Sequence, residues 1–201
     1  SLIAHELAHS WSGNLVTNAS WKDMWLNEGF TSYVENRIVE ALYGKERADM
    51  EYVISRNGLA AELAEVPEAQ QVLVLPARGG SDPEDALGAV AYDKGAWFLQ
   101  FLEQRFGREA FDPFLRSWFD THAFQSVDSD QFAAFLRTNL MAKQPGVVTE
   151  AELAAWLTQP GIPEFAPRTT SPRFDAVDAA RESWTKRRTA ARDLKTSAWT
   201  T

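Results

Sequence analysis

Hydrophobic residues recur along most of the chain at the three- and four-residue spacing that is typical of amphipathic helices. This pattern predicts a first helix over residues 1 to about 12, a second over about 26–43 and a third over roughly 45–65. Gly13 and Pro67 follow the first and third segments, and glycine and proline commonly end helices. The first third of the chain is therefore expected to be helical.

The second half of the chain continues in the same way. Its amphipathic segments predict helices at about 92–106, 108–121, 129–142 and 150–158. Two of these segments begin with the sequence of a capping box, in which the side chains of the N-cap and N3 residues each bind the other's backbone N–H. Asp128 and Gln131 form one such pair, and Thr149 and Glu152 form the other.

Only one short run, the sequence VLVL at residues 72–75, has the composition of a β-strand. A loop rich in Gly, Asp and Pro follows at residues 77 to about 86, and such loops beside a helical body often carry binding residues. With one candidate strand among so many helical segments, the sequence predicts a mainly α fold.

Proline and small polar residues cluster between residues 160 and 172, which is typical of a boundary between domains. Beyond this cluster the stretch 173–195 is net basic, whereas the rest of the chain is acidic. We therefore expect one domain over residues 1–165, followed over residues 166–201 by a linker and the first helix of a second, helical domain.

Composition narrows the classes of partner. The 201 residues include 20 Lys and Arg against 28 Asp and Glu, a formal net charge of -8 that disfavours binding to nucleic acid. No apolar run approaches the roughly 20 residues of a membrane-spanning helix. The chain has no cysteine, which excludes disulfides and thiolate metal sites. The compartment stays open between cytoplasm and periplasm, with a lean towards the cytoplasm.

Two of the three histidines, His5 and His9, lie four residues apart in the first predicted helix. At 3.6 residues per turn their imidazoles project from the same face and are able to converge on one metal ion. Imidazole suits zinc, and a glutamate directly after the first histidine, here Glu6, is placed to reach a zinc-bound water. The sequence therefore predicts one Zn²⁺ per chain.

A catalytic zinc site needs a third protein ligand and an open position. Glu28, which opens the next long helix, is the candidate ligand, and Glu35 two turns further is placed to bind the second nitrogen of a ligating histidine. The competing interpretation is that the two histidines only pack on an amphipathic helix, but the combined set of residues favours the zinc site. His122 is interpreted as a surface or capping residue outside it.

The motif HELAHSWSGNLVTN, followed by WLNEGFTSYVE, resembles the gluzincin metallo-aminopeptidases of family M1, which include alanyl aminopeptidase and leukotriene-A4 hydrolase. The segment AYDKGA resembles the segment that carries the catalytic tyrosine of that family. The resemblance implies that this chain is the helical lobe of a thermolysin-like catalytic domain plus the start of a C-terminal helical domain. It also implies that His5, His9 and Glu28 hold zinc, that Glu6 is the general base and that Tyr92 stabilises the oxyanion.

The same resemblance implies a substrate and a missing part of the site. Family members remove N-terminal residues from peptides, and the segments that hold the free α-amine lie upstream of the zinc motif, so we expect this chain to be part of a longer polypeptide. Where leukotriene-A4 hydrolases carry a second tyrosine, this chain has Leu87, which favours peptide cleavage over epoxide hydrolysis.

Two other functions remain open at this point. An endopeptidase shares the zinc helix but cleaves internal bonds, and an inactive helical fragment or interaction domain keeps only a vestigial site. The intact Glu6 argues against the vestigial site, because a site that only binds metal has no need of a general base.

Overall fold

The computed structural model describes residues 2–76, 86–197 and 199, and within them the fold is mainly α, as predicted. The residues described form eight α-helices and one sheet of two short strands. The helices are α1 (Leu2–Ala8), α2 (Trp25–Tyr43), α3 (Lys45–Leu63), α4 (Gly95–Phe106), α5 (Arg108–Thr121), α6 (Ser129–Asn139), α7 (Glu150–Thr158) and α8 (Pro172–Thr185). The strands are β1 (Val16–Asn18) and β2 (Gln125–Val127).

Both predicted capping boxes are confirmed. At the start of α6 the Asp128 carboxylate accepts from the backbone N–H of Gln131, and at the start of α7 the Thr149 hydroxyl accepts from that of Glu152. In each box the glutamine or glutamate side chain accepts in return from the backbone N–H of the N-cap residue. These helix starts are fixed by local side chains, which explains why the sequence alone locates them.

Helix α1 is shorter than predicted, because the last residues of the predicted segment form tight turns beyond Ala8. The chain then reverses at Gly13, whose φ of 121° lies in the region that favours glycine. A Cβ at this position would lie 3.0 Å from Nδ1 of His9. Glycine therefore allows the chain to turn back directly over the second histidine.

The prediction of a strand at residues 72–75 was wrong. Val72 and Leu73 are buried, but the segment forms no ladder. Its backbone instead makes separate hydrogen bonds, from the N–H of Val74 to the carbonyl of Leu157 and from that of Leu75 to the carbonyl of Lys22. The apolar run reflects burial between helices, and most of the loop predicted after it, residues 77–85, lies outside the described residues.

The sheet itself was not anticipated. Strands β1 and β2 pair in parallel, with Val16 opposite Gln125 and Asn18 opposite Val127. Each strand is only three residues long, and more than 100 residues separate them, so no local pattern announces the pairing. The pair ties the loop after α1 to the loop before α6.

The core is aromatic and centres on Phe132 of α6, which is fully buried. Its ring lies 5.2–5.4 Å from those of Trp118, Trp25 and Phe30, all in edge-to-face geometry. Such pairs contribute about 0.5–1.5 kcal/mol each beyond the burial of their area. This cluster holds α2, the helix that carries Glu28, firmly against α5 and α6.

The helix predicted at 92–106 begins with one wide π-helical turn, Val90–Lys94, called here the Tyr92 turn, and continues as α4. It approaches α2 at two glycines. A Cβ on Gly29 would lie 2.8 Å from Cα of Gly95, so the two backbones touch at a distance that no other residue permits. Because Gly29 follows Glu28 directly, this contact brings the Tyr92 turn beside Glu28.

The C-terminal helix α8 differs from the others because none of its residues is buried. Its described side-chain link to the helical body is an exposed ion pair between Arg173 and Glu46 of α3. Among the described residues, no helix is both long enough and apolar enough to cross a membrane.

Candidate metal centre

The predicted zinc ligands converge at the contact between α1 and α2. One donor atom from each of His5, His9 and Glu28 lies within 4.8 Å of the other two, and this is the one such group among the residues that the structure describes. Nε2 of His5 lies 3.3 Å from Oε2 of Glu28, and Nε2 of His9 lies 3.6 Å from the same oxygen. Both imidazoles therefore point the same nitrogen at one carboxylate.

The three side chains are neither sealed in the core nor fully exposed. Their relative exposures are 14% for His5, 24% for His9 and 12% for Glu28. The rings of the two histidines stand edge to face, with centroids 4.9 Å apart. A cluster that is half-buried in this way is ordered by its neighbours and still reachable from solvent.

Glu35 fixes the orientation of the first histidine. Its Oε2 accepts a hydrogen bond from Nδ1 of His5 at 3.0 Å, so the geometry has the contact that the spacing along α2 predicted. With the proton on Nδ1, the lone pair of Nε2 is available to a metal ion. Carboxylates commonly hold metal-binding histidines in this way.

A backbone carbonyl fixes the second histidine, a contact that no pattern in the sequence predicts. Nδ1 of His9 donates to the carbonyl oxygen of Ser12 at 2.8 Å, which again leaves Nε2 available. Thr31 of α2 supports the arrangement, because its hydroxyl lies 2.6 Å from Oγ of Ser12 and 3.3 Å from the Ser12 carbonyl oxygen. Both hydroxyl residues are buried, and burial of a polar side chain is the signal that marks them.

Without a metal ion, the negative charges around His5 favour its protonated form. Hydrogen bonds to Glu28 and then Glu35 raise the pKa of His5 to about 9, while partial burial acts in the opposite direction. A metal cation bound between these side chains would balance the same negative charges in place of the proton on His5. Two imidazole nitrogens and one carboxylate oxygen form a donor set that suits Zn²⁺, so these residues fit the predicted metal.

Glu6 follows His5 on α1 and is exposed. It is not one of the three residues whose donor atoms converge. Because one residue corresponds to a rotation of about 100° on a helix, its carboxylate leaves α1 beside the histidines rather than on their face.

Tyr92 stacks beside the imidazole of His5. Its ring is nearly parallel to the imidazole, with an angle of 20° and centroids 5.9 Å apart. Burial, followed by the negative charge of Glu28, raises the pKa of the phenol, so Tyr92 keeps its proton at neutral pH. The phenol can therefore act as a hydrogen-bond donor at the metal centre.

His122 is part of α5 packing instead. It is the C-cap of that helix, where its Nδ1 donates to the carbonyl oxygen of Trp118 at 2.9 Å. Its ring also packs on the indole of Trp118, with centroids 4.0 Å apart. This placement agrees with the capping role predicted for it.

Comparison with known proteins places this arrangement in a family. The family model described as the peptidase family M1 domain matches residues 1–151. Leucine aminopeptidase 2-1 of Meyerozyma guilliermondii is 39% identical over 186 residues, which are 91% of this chain and 30% of that protein. Leucine aminopeptidase 2 of Yarrowia lipolytica is 40% identical over 88% of this chain and 28% of its own length. The chain thus spans less than a third of the relatives that it matches.

Solved structures give the same picture. Native leukotriene A4 hydrolase from Saccharomyces cerevisiae superposes with a TM-score of 0.86 and 36% identity, over 96% of this chain and 31% of that one. An M1 zinc metallopeptidase variant from Deinococcus radiodurans, solved with a Tyr-Ser-Ala substrate, superposes with a TM-score of 0.65 and 28% identity. That match covers 84% of this chain and 35% of the other.

Proposed function

This chain belongs to peptidase family M1, and we propose that the whole protein is a zinc-dependent aminopeptidase that removes N-terminal residues from peptides. The observation that carries the proposal is the convergence of Nε2 of His5, Nε2 of His9 and a carboxylate oxygen of Glu28. The leucine aminopeptidases among its relatives support peptides with a free N-terminus as the substrate class.

His5, His9 and Glu28 would hold one zinc ion per chain. When bound, zinc lowers the pKa of a water molecule and polarises the substrate carbonyl as a Lewis acid. The protein's part is to turn Nε2 of both histidines towards the ion, and the contacts of Nδ1 with Glu35 and with the Ser12 carbonyl support that orientation. Glu35 is in this sense a positioning residue for His5.

Glu6 would act as the general base. Its carboxylate takes a proton from the attacking water and later gives it to the leaving amine. The position next to His5 and the exposure to solvent support this role, because a base must be free to reach a water molecule.

Tyr92 would stabilise the negative charge that develops on the carbonyl oxygen. Its O–H donates a hydrogen bond to that oxygen, and such a donor counts most when it is fixed in place before the reaction. The parallel packing on His5 and the raised pKa of the phenol support a fixed, protonated donor.

Segments of the same polypeptide beyond this chain would complete the cleft. The chain covers about 30% of its relatives' length, and a peptide is oriented for reaction only when both walls of the site hold it. We therefore assign recognition of the substrate's free amine to those segments and the hydrolytic chemistry to this chain.

The proposal is tested by Glu6→Gln in the full-length protein, with Glu109→Gln on the exposed face of α5 as the control. Zinc content and hydrolysis of an aminoacyl anilide are measured for each. We expect about one zinc per chain in all three proteins and loss of about 10²–10⁴ in kcat for Glu6→Gln alone. Loss of zinc from that variant would instead make Glu6 a ligand.

A second assay of the full-length protein distinguishes an aminopeptidase from an endopeptidase. A free and an N-acetylated peptide of the same sequence are offered as substrates. Release of the first residue from the free peptide only is the expected result. Cleavage of internal bonds in both peptides would contradict the aminopeptidase assignment and favour an endopeptidase.

A further inference from the structure

The Tyr92 turn begins without a cap of its own. Its N-cap residue is Ala89, whose methyl side chain accepts no hydrogen bond, and Gly88 before it has no side chain. The first N–H groups of a helical turn have no partner within the turn, and leaving them unpaired loosens it. A fixed phenol on this turn therefore needs a hydrogen-bond acceptor from elsewhere in the fold.

Glu62, in the last turn of α3, supplies that acceptor. Its Oε2 accepts from the N–H of Ala89 at 2.9 Å, and its Oε1 accepts from the N–H of Val90 at 3.4 Å. The negative charge also lies at the end of the turn where the peptide dipoles are positive, which adds to the stabilisation. One carboxylate thus holds two successive residues just ahead of Tyr92.

The sequence leaves room for this carboxylate. A Cβ on Gly88 would lie 2.4 Å from Oε1 of Glu62, and the carboxylate occupies the space that a side chain would take. Gly88 does not have a positive φ, so its role here is to leave space rather than to allow an unusual backbone. The pairing of Glu62 with Gly88 joins residues 26 positions apart into one capping arrangement.

The far end of the Tyr92 turn is held by different contacts. Nζ of Lys94 is fully buried and donates to the carbonyl oxygens of Gln71 and Gln159, at 2.7 and 2.8 Å. Gly95 then lies against Gly29 of α2. With its end fixed in this way, the remaining freedom of the turn is at its start, where Glu62 binds.

We propose that Glu62 is a positioning residue for Tyr92, which holds the phenol at the metal centre by capping the turn that carries it. The inference rests on the role proposed above for Tyr92. Glu62 does not contact the substrate in this proposal. It lowers the activation barrier of hydrolysis only by restricting where the phenol of Tyr92 lies. A misplacement of about 1 Å in an active site is able to reduce the rate about 100-fold.

The kinetic test uses the zinc-loaded full-length enzyme and a double-mutant cycle. Glu62→Ala is expected to lower kcat roughly 10- to 100-fold with KM changed less than about threefold. In the Tyr92→Phe background the same change is expected to cost less than about twofold, because the group that Glu62 positions is gone. Glu62→Gln keeps one acceptor oxygen and is expected to fall between wild type and Glu62→Ala, and Glu65→Ala is the control.

Gly88→Ala tests the same contact without touching Glu62. Gly88 precedes the N-cap and has no positive φ, so alanine by itself would slightly stabilise the folded chain by reducing the freedom of the unfolded one. We expect kcat to fall instead, because the new methyl group displaces the carboxylate, and we expect no further fall when Glu62→Ala is added.

A measurement on the metal-free chain is independent of activity. Hydrogen exchange at the amides of Ala89 and Val90 is expected to accelerate in Glu62→Ala and in Gly88→Ala, but not in Glu65→Ala. Unchanged exchange, or an equal loss of kcat from Glu62→Ala in both backgrounds, would overturn the inference and leave the proposed function intact. Full activity of Tyr92→Phe would instead overturn the proposed role of Tyr92, and with it this inference.

Discussion

Asp93, the residue after Tyr92, has a carboxyl group whose ionisation destabilises the folded state. Burial, and then the charges of Glu62 and Glu35, raise its pKa to about 6, although a hydrogen bond with Ser55 acts against the shift. The usual value is about 3.9. The carboxyl therefore favours the folded state while it is protonated, and this contribution is lost as the pH rises from about 4 through about 6.

Asp93→Asn is accordingly expected to stabilise the protein more at pH 8 than at pH 5, by about 1 kcal/mol. Asparagine keeps a hydrogen-bond acceptor for Ser55 and removes the charge. Urea unfolding of the metal-free chain at the two pH values measures the difference, with Asp120→Asn on the surface of α5 as the control. A stabilisation that is equal at both pH values would contradict a raised pKa of Asp93.

At the scale of single residues, the sequence predicts the three side chains that converge and Glu35, which orients His5, but not the groups that orient His9. His5, His9 and Glu28 follow from helical spacing and metal chemistry, because the spacing within a helix fixes which side chains share a face. Ser12 and Thr31 are ordinary hydroxyl residues in the sequence. Ser12 contacts His9 through the turn that follows α1, and Thr31 reaches the same ring from α2, so neither contact is visible in the helical pattern.

At the scale of elements, the position of Tyr92 relative to Glu28 depends on one backbone contact. Gly29 of α2 and Gly95 of α4 touch without side chains between them. Added atoms at either position force the helices apart, because a Cβ on Gly29 would also lie 3.0 Å from the carbonyl oxygen of Ala91. The contact thus sets both packing and the geometry of the metal centre.

Gly29→Ala is expected to destabilise the chain by about 1–3 kcal/mol through overpacking. The matched control is Gly58→Ala in α3, where a Cβ meets nothing within 4 Å. That change is expected to stabilise by about 0.5–1 kcal/mol through helix propensity. Thermal unfolding measures the change in stability of both variants. Equal changes of the same sign would show that α2 and α4 have room for a methyl group between them.

The elements that the sequence predicts well are those fixed by neighbours along the chain. The capping boxes of α6 and α7 and the end of α2 at Gly44 depend on residues within one turn. The run at 72–75 is not a strand, because helices bury its apolar residues. The hydrophobic pattern of so short a run does not distinguish burial between helices from burial within a sheet. The β1–β2 pair and the π-helical geometry of the Tyr92 turn depend on contacts distant in sequence.

At the scale of the whole molecule, we propose that the domain boundary lies near residues 165–166, as the proline cluster predicts. The absence of buried residues in α8 supports this, because a helix that belonged to the same core would bury one face. Exposed ion pairs such as Arg173–Glu46 contribute only about 0–1 kcal/mol. We regard α8 as the start of a helical domain that packs on residues beyond this chain.

Removal of residues 172–201 is therefore expected to change the unfolding free energy by less than about 1 kcal/mol. Trp156→Ala in α7 is the contrasting variant, since Trp156 is fully buried and its loss is expected to cost about 3–5 kcal/mol. Urea unfolding of the two proteins beside the intact chain measures both. A truncation as damaging as Trp156→Ala would place α8 inside the first domain.

We propose above that side chains from α1, from the turn directly after it and from α2 meet at one zinc ion. A crystal structure of the zinc-loaded protein, with anomalous data collected at the zinc edge, tests it most directly. We predict one strong peak at roughly 2.0–2.2 Å from Nε2 of His5, Nε2 of His9 and a carboxylate oxygen of Glu28. A zinc peak bound elsewhere, or bound by the histidines with Glu28 out of reach, would contradict it.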